Sequence, residues 1–205
     1  MSQLISPVLA TLLLICLASF GWGMRRFFVQ PERMTFGRKV TGIVALISAS
    51  VHFLAIVLTR DISMPRFFLG GTTYVAAAGL FWWAIRVNRA NPLAACFSAA
   101  TPRHLNINGP YHLMRHPFYG SYLLACLGGV IATENWRLLP TVIVMFFIYR
   151  SAALQEEGAF GRSPLARHYQ LYCSRTGRFL PRFSTLTDLL RPIVSGMSRS
   201  PIEHQ

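Results

Sequence analysis

The chain has 205 residues, of which 53% are hydrophobic and only 13% are charged, and its formal net charge is +13. This composition excludes a disordered chain and also an ordinary soluble domain. A strongly basic chain can bind nucleic acid, but here the arginines lie between apolar runs rather than along one continuous basic face. We therefore expect a membrane protein with arginine-rich loops, surrounded by membrane lipids and without a nucleic-acid partner.

Four apolar runs follow one another along the chain. Runs 5–23, 40–59 and 67–85 each have nineteen or twenty residues, long enough to cross a hydrocarbon core of about 30 Å as a helix. The fourth run, 118–154, has a polar break at residues 133–137 and predicts a hairpin of two spans. Its arms are short for full spans, so a tilted or partly sheltered hairpin and two upright helices are equal alternatives. The expected fold class is all-α: a polytopic integral membrane protein with five transmembrane helices, including a C-terminal hairpin.

Lysine and arginine are distributed unevenly between these runs. With five spans, the first loop, the third loop and the segment from Arg150 onward lie on one side and hold 17 of the 20 basic residues. The positive-inside rule assigns that side to the cytoplasm. We therefore predict an N-terminus outside, and a C-terminal segment and active site in the cytoplasm.

A cluster of polar residues precedes the hairpin. The segment 108–120 reads NGPYHLMRHPFYG, and a pair of carboxylates, Glu156 and Glu157, follows the second hairpin helix. Because the two ends of an antiparallel helix pair return to one place, with about 8–10 Å between the axes, Arg115 and His116 should face these carboxylates. The sequence thus predicts a composite pocket at the membrane surface.

This combination of cationic, anionic and aromatic groups suits S-adenosylmethionine. The cofactor's carboxylate needs an arginine, a histidine or free helix amides, and its ammonium group and ribose hydroxyls need carboxylates. Its sulfonium can lie against an aromatic face or backbone oxygens. The cysteines and histidines show no metal-ligand spacing, so no metal is expected.

The same residues carry a resemblance to a known family. GPYHLMRHPFYG, an apolar hairpin and then EE resemble the R-H-P-x-Y…E-E signature of integral-membrane methyltransferases, which include isoprenylcysteine carboxyl methyltransferases and phospholipid N-methyltransferases. The later YQLYCSRTGRFLP resembles the family's closing pattern of two tyrosines followed by R-x-L-P. The family usually has a phenylalanine-glycine pair shortly before the first tyrosine, and here that pair, Phe160-Gly161, lies earlier in the chain. The resemblance covers residues 105–183. It implies methyl transfer from S-adenosylmethionine to a lipophilic acceptor, such as an isoprenylcysteine carboxylate, a phospholipid amine or a similar small lipid-like substrate.

The hairpin geometry and the resemblance together select the site residues. Those expected to bind the cofactor are Gly109, Pro110, Tyr111, Arg115, His116, Pro117, Tyr119, Glu156 and Glu157. The resemblance places the first three along the approach to the cofactor. The catalytic candidates are Glu157 and His116, as bases for an amine or thiol acceptor, and Arg178, which stands in the R-F-L-P motif. A carboxylate acceptor would need an aligning arginine and no strong base.

These residues divide a single membrane-embedded domain, 1–205, into three parts. Three spans occupy 1–85, the loop, hairpin and closing segment that form the cofactor site occupy 86–183, and a tail occupies 184–205. In the spans, His52 is interpreted as a hydrogen-bonded interior histidine. Gly70-Gly71 and Gly128-Gly129 are interpreted as close helix contacts.

Two alternative functions remain open. An NADPH-dependent membrane sterol or enone reductase has a similar C-terminal helical layout by resemblance, and the tail arginines could bind its 2′-phosphate. A non-enzymatic membrane subunit would bind no cofactor and would tolerate substitution of His116 and Glu157.

Overall fold

The computed structural model describes residues 2–29, 35–89, 102 and 104–182, and the predicted tail 184–205 lies outside these ranges. Within them the chain is helical, with no β-sheet, which confirms the predicted all-α class there. The helices are α1 (Ser2–Phe27), α2 (Phe36–Leu58), α3 (Met64–Asn88), α4 (Pro110–Leu113), α5 (Pro117–Thr133), α6 (Leu139–Gly161) and α7 (Ala166–Arg175), with a 3₁₀ turn at Trp136–Leu138 before α6.

Prolines and a threonine cap define where the long helices begin. Pro65, Pro117 and Pro140 each lie in the first turn of a helix, where a missing N–H is not needed. Thr35 caps α2 by accepting a hydrogen bond from the Arg38 amide at 3.4 Å. Pro117 therefore separates the polar motif from the apolar helix that follows it.

Four of the described helices are long and apolar enough to cross a membrane: Ile5–Phe27, Phe36–Leu58, Met64–Asn88 and Trp136–Gly161. The first hairpin helix, α5, has 17 residues and a rise of about 26 Å, less than a core of about 30 Å. The prediction of five full spans is therefore met by four candidates and one shorter apolar helix. Eleven residues of α5 are buried, because α2, α3 and α6 pack against it, so the sheltered form of the hairpin is the observed one.

Small residues bring α3 and α5 close together. A Cβ added at Gly70 would lie 2.6 Å from the Ala132 Cβ, and one added at Gly128 would lie 3.1 Å from the Tyr74 ring. A larger residue at either position would push the helices apart. The predicted role of these glycines as close helix contacts is confirmed.

The far end of the hairpin is tied to α3 by an ion pair. Arg66 Nη1 at the start of α3 lies 3.3 Å from Glu134 Oε2, which follows the end of α5. The Glu134 side chain is 64% exposed. Because α5 spans about 26 Å, this carboxylate is remote from the polar motif at the other end of the same helix.

Candidate functional site

A glycine and a buried tyrosine fix the motif to the end of α3. Gly109 has a φ of 59°, in the left-handed region that favours glycine, and a Cβ there would lie 2.7 Å from Val87 Cγ2. The Tyr111 hydroxyl accepts a hydrogen bond from Asn88 Nδ2 at 2.8 Å. The chain is thereby turned into the single turn α4 and held against α3.

The closing segment pairs with the motif through the backbone. The Arg115 amide donates to the Gly177 carbonyl at 2.8 Å, and the His116 amide donates to the Arg178 carbonyl at 3.1 Å. Met114 and Gly177 form an isolated parallel β-bridge. The segment after α7 is thus held against the link between α4 and α5 by backbone hydrogen bonds.

Glu157 is the centre of a cluster of three cations. Its Oε1 accepts hydrogen bonds from Arg115 Nε at 3.2 Å, His116 Nε2 at 3.1 Å and Arg178 Nε at 2.9 Å. Its Oε2 accepts from Arg178 Nη2 at 2.7 Å, which makes the Arg178 contact bidentate. The meeting of basic and acidic residues predicted from the hairpin is confirmed, and Arg178 joins it from the closing segment.

Glu156, the neighbouring residue, has different surroundings. Its Oε1 accepts a hydrogen bond from the Tyr119 hydroxyl at 2.5 Å, and its Oε2 lies 3.4 Å from His116 Nδ1. The Glu156 side chain is 32% exposed, against 14% for Glu157. One carboxylate is therefore enclosed by cations, and the other keeps an accessible face.

His116 lies between the two carboxylates as a charged group. Each of its ring nitrogens faces a carboxylate oxygen, so both must carry a proton to donate. Burial alone would lower the pKa of His116, but the hydrogen bonds and charges of Glu156 and Glu157 outweigh it and raise that pKa above its ordinary value. An imidazolium held in this way has no lone pair with which to take a proton from a substrate.

A cavity of about 730 Å³ extends from this cluster into the interior, within the usual range of about 300–1,000 Å³ for ligand pockets. Its inner part is bordered by mostly apolar side chains of α1, α2, α5 and α6, together with Ser48 and His52. The charged and aromatic residues at its outer end include Arg38, Lys39, His104, Tyr111, Arg115, His116, Tyr119, Glu156, Phe160, Tyr169 and Tyr172.

The cavity includes six of the ten predicted site residues. Those lining it are Tyr111, Arg115, His116, Pro117, Tyr119 and Glu156. The other four, Gly109, Pro110, Glu157 and Arg178, are not among the lining residues; of these, Glu157 and Arg178 pair with each other beside the outer end.

Sequence reasoning did not select several lining residues. Arg38 and Lys39 lie in the first turn of α2 and line the cavity. They could have been selected from the sequence, because they belong to the basic first loop, which the distribution of lysine and arginine assigns to the same side of the membrane as the motif. Phe160 and Tyr169 stack with ring centroids 4.5 Å apart and an interplanar angle of 9°. Ser163 lies in the turn between them and donates to the Phe160 carbonyl at 2.8 Å. The part of the sequence that departs from the family pattern thus forms a compact joint between α6 and α7.

The region that forms this site is similar in sequence to known proteins. Residues 65–169 match a family model described as phospholipid methyltransferase. Over 110 residues the chain is 29% identical to the "Cobalt-zinc-cadmium resistance protein CzcN" of Cupriavidus metallidurans, a match covering 54% of this chain and 46% of that protein. The chain thus spans about half the length of this curated relative. In the described ranges no group of three or more histidine, cysteine, aspartate and glutamate side chains is arranged to hold a metal ion.

The family match contains every part of the site built from the hairpin. It includes the motif before α5, both hairpin helices and the two adjacent carboxylates, and it covers half of the chain. The resemblance carried by the motif is therefore confirmed: the chain belongs to the phospholipid methyltransferase family of integral-membrane methyltransferases.

Proposed function

We propose that this protein transfers a methyl group from S-adenosylmethionine to a lipophilic acceptor at the cytoplasmic face of a membrane. The proposal rests on one observation: a single cavity has a charged and aromatic lining at one end and an apolar lining at the other. Its outer end has charged and aromatic residues, and its inner part is mostly apolar. A polar cofactor and an apolar acceptor can meet in such a cavity, and the family provides the reaction.

The outer end has the groups that the cofactor needs. The accessible face of Glu156 suits the ammonium group or the ribose hydroxyls, and Arg38, Lys39 and Arg115 are cations for the carboxylate. The Tyr119 and Tyr149 rings stack 5.1 Å apart, and both line the cavity, so the sulfonium or adenine would meet aromatic side chains there. When bound, the cofactor supplies an electrophilic methyl group on sulfur.

The residues around the cavity act mainly by positioning. Glu157 holds Arg178, and with it the closing segment, against the motif, so both shape the outer end without facing the enclosed space. His116, as an imidazolium, orients Glu156. In a direct displacement these contacts contribute alignment and exclusion of water rather than covalent catalysis. We therefore assign Glu157 and Arg178 positioning roles in place of the catalytic roles expected from the sequence.

Proton transfer depends on the acceptor. A carboxylate acceptor loses no proton, and Arg115 or Lys39 at the cavity wall can align it. An amine or thiol acceptor loses one. Among the described residues that line the cavity, Glu156 is the carboxylate, but its accessible face is assigned to the cofactor, so we assign no base for such acceptors.

We propose an orientation with the N-terminus outside and the site in the cytoplasm, with α5 completing a set of five apolar helices. The support is the 17-to-3 division of basic residues. Arg38, Lys39 and Arg115, which belong to the basic side, all border the outer end of the cavity.

Binding of the reaction product tests the proposal. S-adenosylhomocysteine at a hundredfold excess over its dissociation constant should stabilise the folded protein by about 2.7 kcal/mol, measured as a rise in melting temperature in detergent. NADPH at the same concentration should have no effect. Stabilisation by NADPH alone would favour the reductase, and stabilisation by neither compound would favour a non-enzymatic subunit.

A further inference from the structure

The charges that line the cavity do not balance. Among the described residues, the lining cations are four: Arg38, Lys39, Arg115 and the imidazolium of His116. The carboxylate that lines the same part of the cavity is Glu156. Glu157 and Arg178, which pair with each other beside the outer end, add one charge of each sign. The described part of the chain thus presents an excess of three positive charges to whatever enters.

The cofactor does not remove this excess. S-adenosylmethionine carries one carboxylate, one ammonium group and one sulfonium, so its own net charge is positive. Its single carboxylate cannot occupy all three of Arg38, Lys39 and Arg115, and its ammonium group already accounts for Glu156. A second ligand with a negative charge relieves the repulsion between the remaining cations, whereas an ammonium group adds to it. Charge complementarity therefore favours an anionic acceptor.

The lining cations belong to two different parts of the fold. Arg115 is held within the motif, because its Nε donates to Glu157 Oε1 at 3.2 Å and its Nη1 donates to the Thr176 carbonyl. Arg38 and Lys39 lie in the first turn of α2, outside the residues 65–169 that match the family model. Arg115 thus stands with the residues that suit the cofactor, and the α2 pair stands on a separate wall.

The wall that α2 contributes runs from these charges into the apolar interior. Its lining residues further along the helix include Ala45, Ala49 and His52. His52 follows Arg38 by 14 residues, which corresponds to about 21 Å along the helix. An amphiphile that lies along α2 can place its apolar chain against this wall and its polar end beside Arg38 and Lys39.

We propose that the methyl acceptor is a lipid carboxylate and that Arg38 and Lys39 bind it. This inference rests on the proposed methyl transfer and narrows its acceptors to those that form a methyl ester. A carboxylate oxygen bonds to the methyl carbon while the bond from that carbon to sulfur breaks, and sulfur keeps the electron pair. No proton is released, so the reaction needs no base. The charges of the carboxylate and the sulfonium disappear together, which a mostly apolar cavity favours.

The competing explanation is a phospholipid whose phosphate contacts Arg38 and Lys39 while its amine is methylated. That ligand also supplies a negative charge, but its amine must lose a proton in a cavity where no base is assigned. The two explanations give chemically different products. Alkali cleaves a methyl ester and releases volatile methanol, whereas an N-methyl group is stable to the same treatment.

The stability of the product to alkali therefore separates them. Full-length protein in nanodiscs is incubated with methyl-tritiated S-adenosylmethionine and total membrane lipids, and the label extracted into the organic phase is treated with alkali. We expect most of that label to become volatile. Label that remains non-volatile would overturn the carboxylate acceptor while leaving the proposed methyl transfer intact. No labelling at all would contradict the methyl transfer on which the inference rests.

Binding of two matched probes tests the role of the α2 pair without any reaction. Tritiated hexadecanoate and hexadecanol have the same chain and differ in charge. The double variant Arg38→Gln/Lys39→Gln should weaken hexadecanoate binding about tenfold, equivalent to about 1.4 kcal/mol, and leave hexadecanol binding unchanged. The matched control is Arg25→Gln/Arg26→Gln, which removes two exposed charges at the end of α1 that do not line the cavity.

Three results of this binding measurement are informative. A loss of hexadecanoate affinity confined to the α2 variant supports the proposal. Equal losses in the two double variants would show only a general attraction of anions to the basic side, and would overturn binding by Arg38 and Lys39. A loss of affinity for S-adenosylhomocysteine in the α2 variant, with hexadecanoate binding unchanged, would assign the pair to the cofactor and overturn the proposal as well.

Discussion

The two adjacent glutamates should respond in opposite ways to the same substitution. Glu157→Gln removes the negative charge that faces Arg115, His116 and Arg178. The Arg115 and His116 side chains are each only 10% exposed, and leaving buried cations uncompensated costs about 3–5 kcal/mol. Because glutamine keeps one acceptor oxygen and Arg178 is partly exposed, we expect a loss of about 3 kcal/mol. For a chain of this length that lowers the melting temperature by about 6–12 °C.

Glu156→Gln should leave the fold almost intact. Its side chain is about one third exposed, and the glutamine oxygen can still accept the hydrogen bond from the Tyr119 hydroxyl. We expect a stability loss of about 1–2 kcal/mol, smaller than for Glu157→Gln, because the amide no longer pairs with His116 Nδ1–H but Glu157 still faces that ring. Cofactor binding should suffer more, because one charge-assisted hydrogen bond is worth about 1.5–3 kcal/mol. Affinity for S-adenosylhomocysteine should therefore fall about ten- to a hundredfold.

Melting by tryptophan fluorescence and titration calorimetry with S-adenosylhomocysteine separate the two effects. Glu134→Gln is the matched control, since it is an equally acidic residue at the opposite end of the hairpin, and it should change neither quantity strongly. Equal melting shifts for Glu156→Gln and Glu157→Gln would refute the division of roles. So would undiminished cofactor affinity in Glu156→Gln.

Three other predictions concern pH, packing and orientation. The raised pKa of His116 means that its stabilising charge is fully present below about pH 6.5 and is lost as the pH rises through the folded-state value. The difference in melting temperature between the wild type and His116→Gln should therefore shrink with rising pH, and a constant difference would contradict the ion pairs. Gly129→Ala, whose Cβ would lie 2.2 Å from His52 Nδ1, should destabilise the protein by about 1–3 kcal/mol. Gly79→Ala meets no atom within 4 Å and should not, so equal melting temperatures of the two variants would count against the packing. Reporters fused to the two ends of the chain should fall on opposite sides of the membrane, and both on one side would remove the five-helix topology.

The meeting of the two polar clusters could be predicted because a hairpin leaves little freedom. Two apolar helices joined by a short turn must be antiparallel, so the residues before α5 and after α6 share one end. The length of the apolar run did not decide how the first hairpin helix is placed. The polar break at residues 133–137 was expected to end the first hairpin helix, and α5 does end at Thr133, but its 17 residues left upright, tilted and sheltered arrangements open. Neighbouring helices shelter it, and hydropathy along one chain does not contain that information.

The different surroundings of Glu156 and Glu157 could not be predicted from the sequence. Consecutive residues on a helix point in different directions, and packing decides which of them meets the cations. The hydrogen bond of His52 was hidden for a similar reason. His52 is a lone histidine in an apolar run, and its tautomer depends on Thr141, 89 residues later in the chain. Such pairings depend on tertiary packing, which local patterns do not encode.

Transfer of the methyl group itself is the most direct test of the proposed reaction. Purified protein in nanodiscs is incubated with methyl-tritiated S-adenosylmethionine and total membrane lipids, and radioactivity is counted in the organic phase. We predict labelled lipid with the wild type and with Glu134→Gln, and at least a tenfold slower transfer with Glu156→Gln when the cofactor is not saturating. A folded wild-type protein that labels no lipid fraction, or a Glu156→Gln variant as active as the wild type, would contradict methyl transfer at this site.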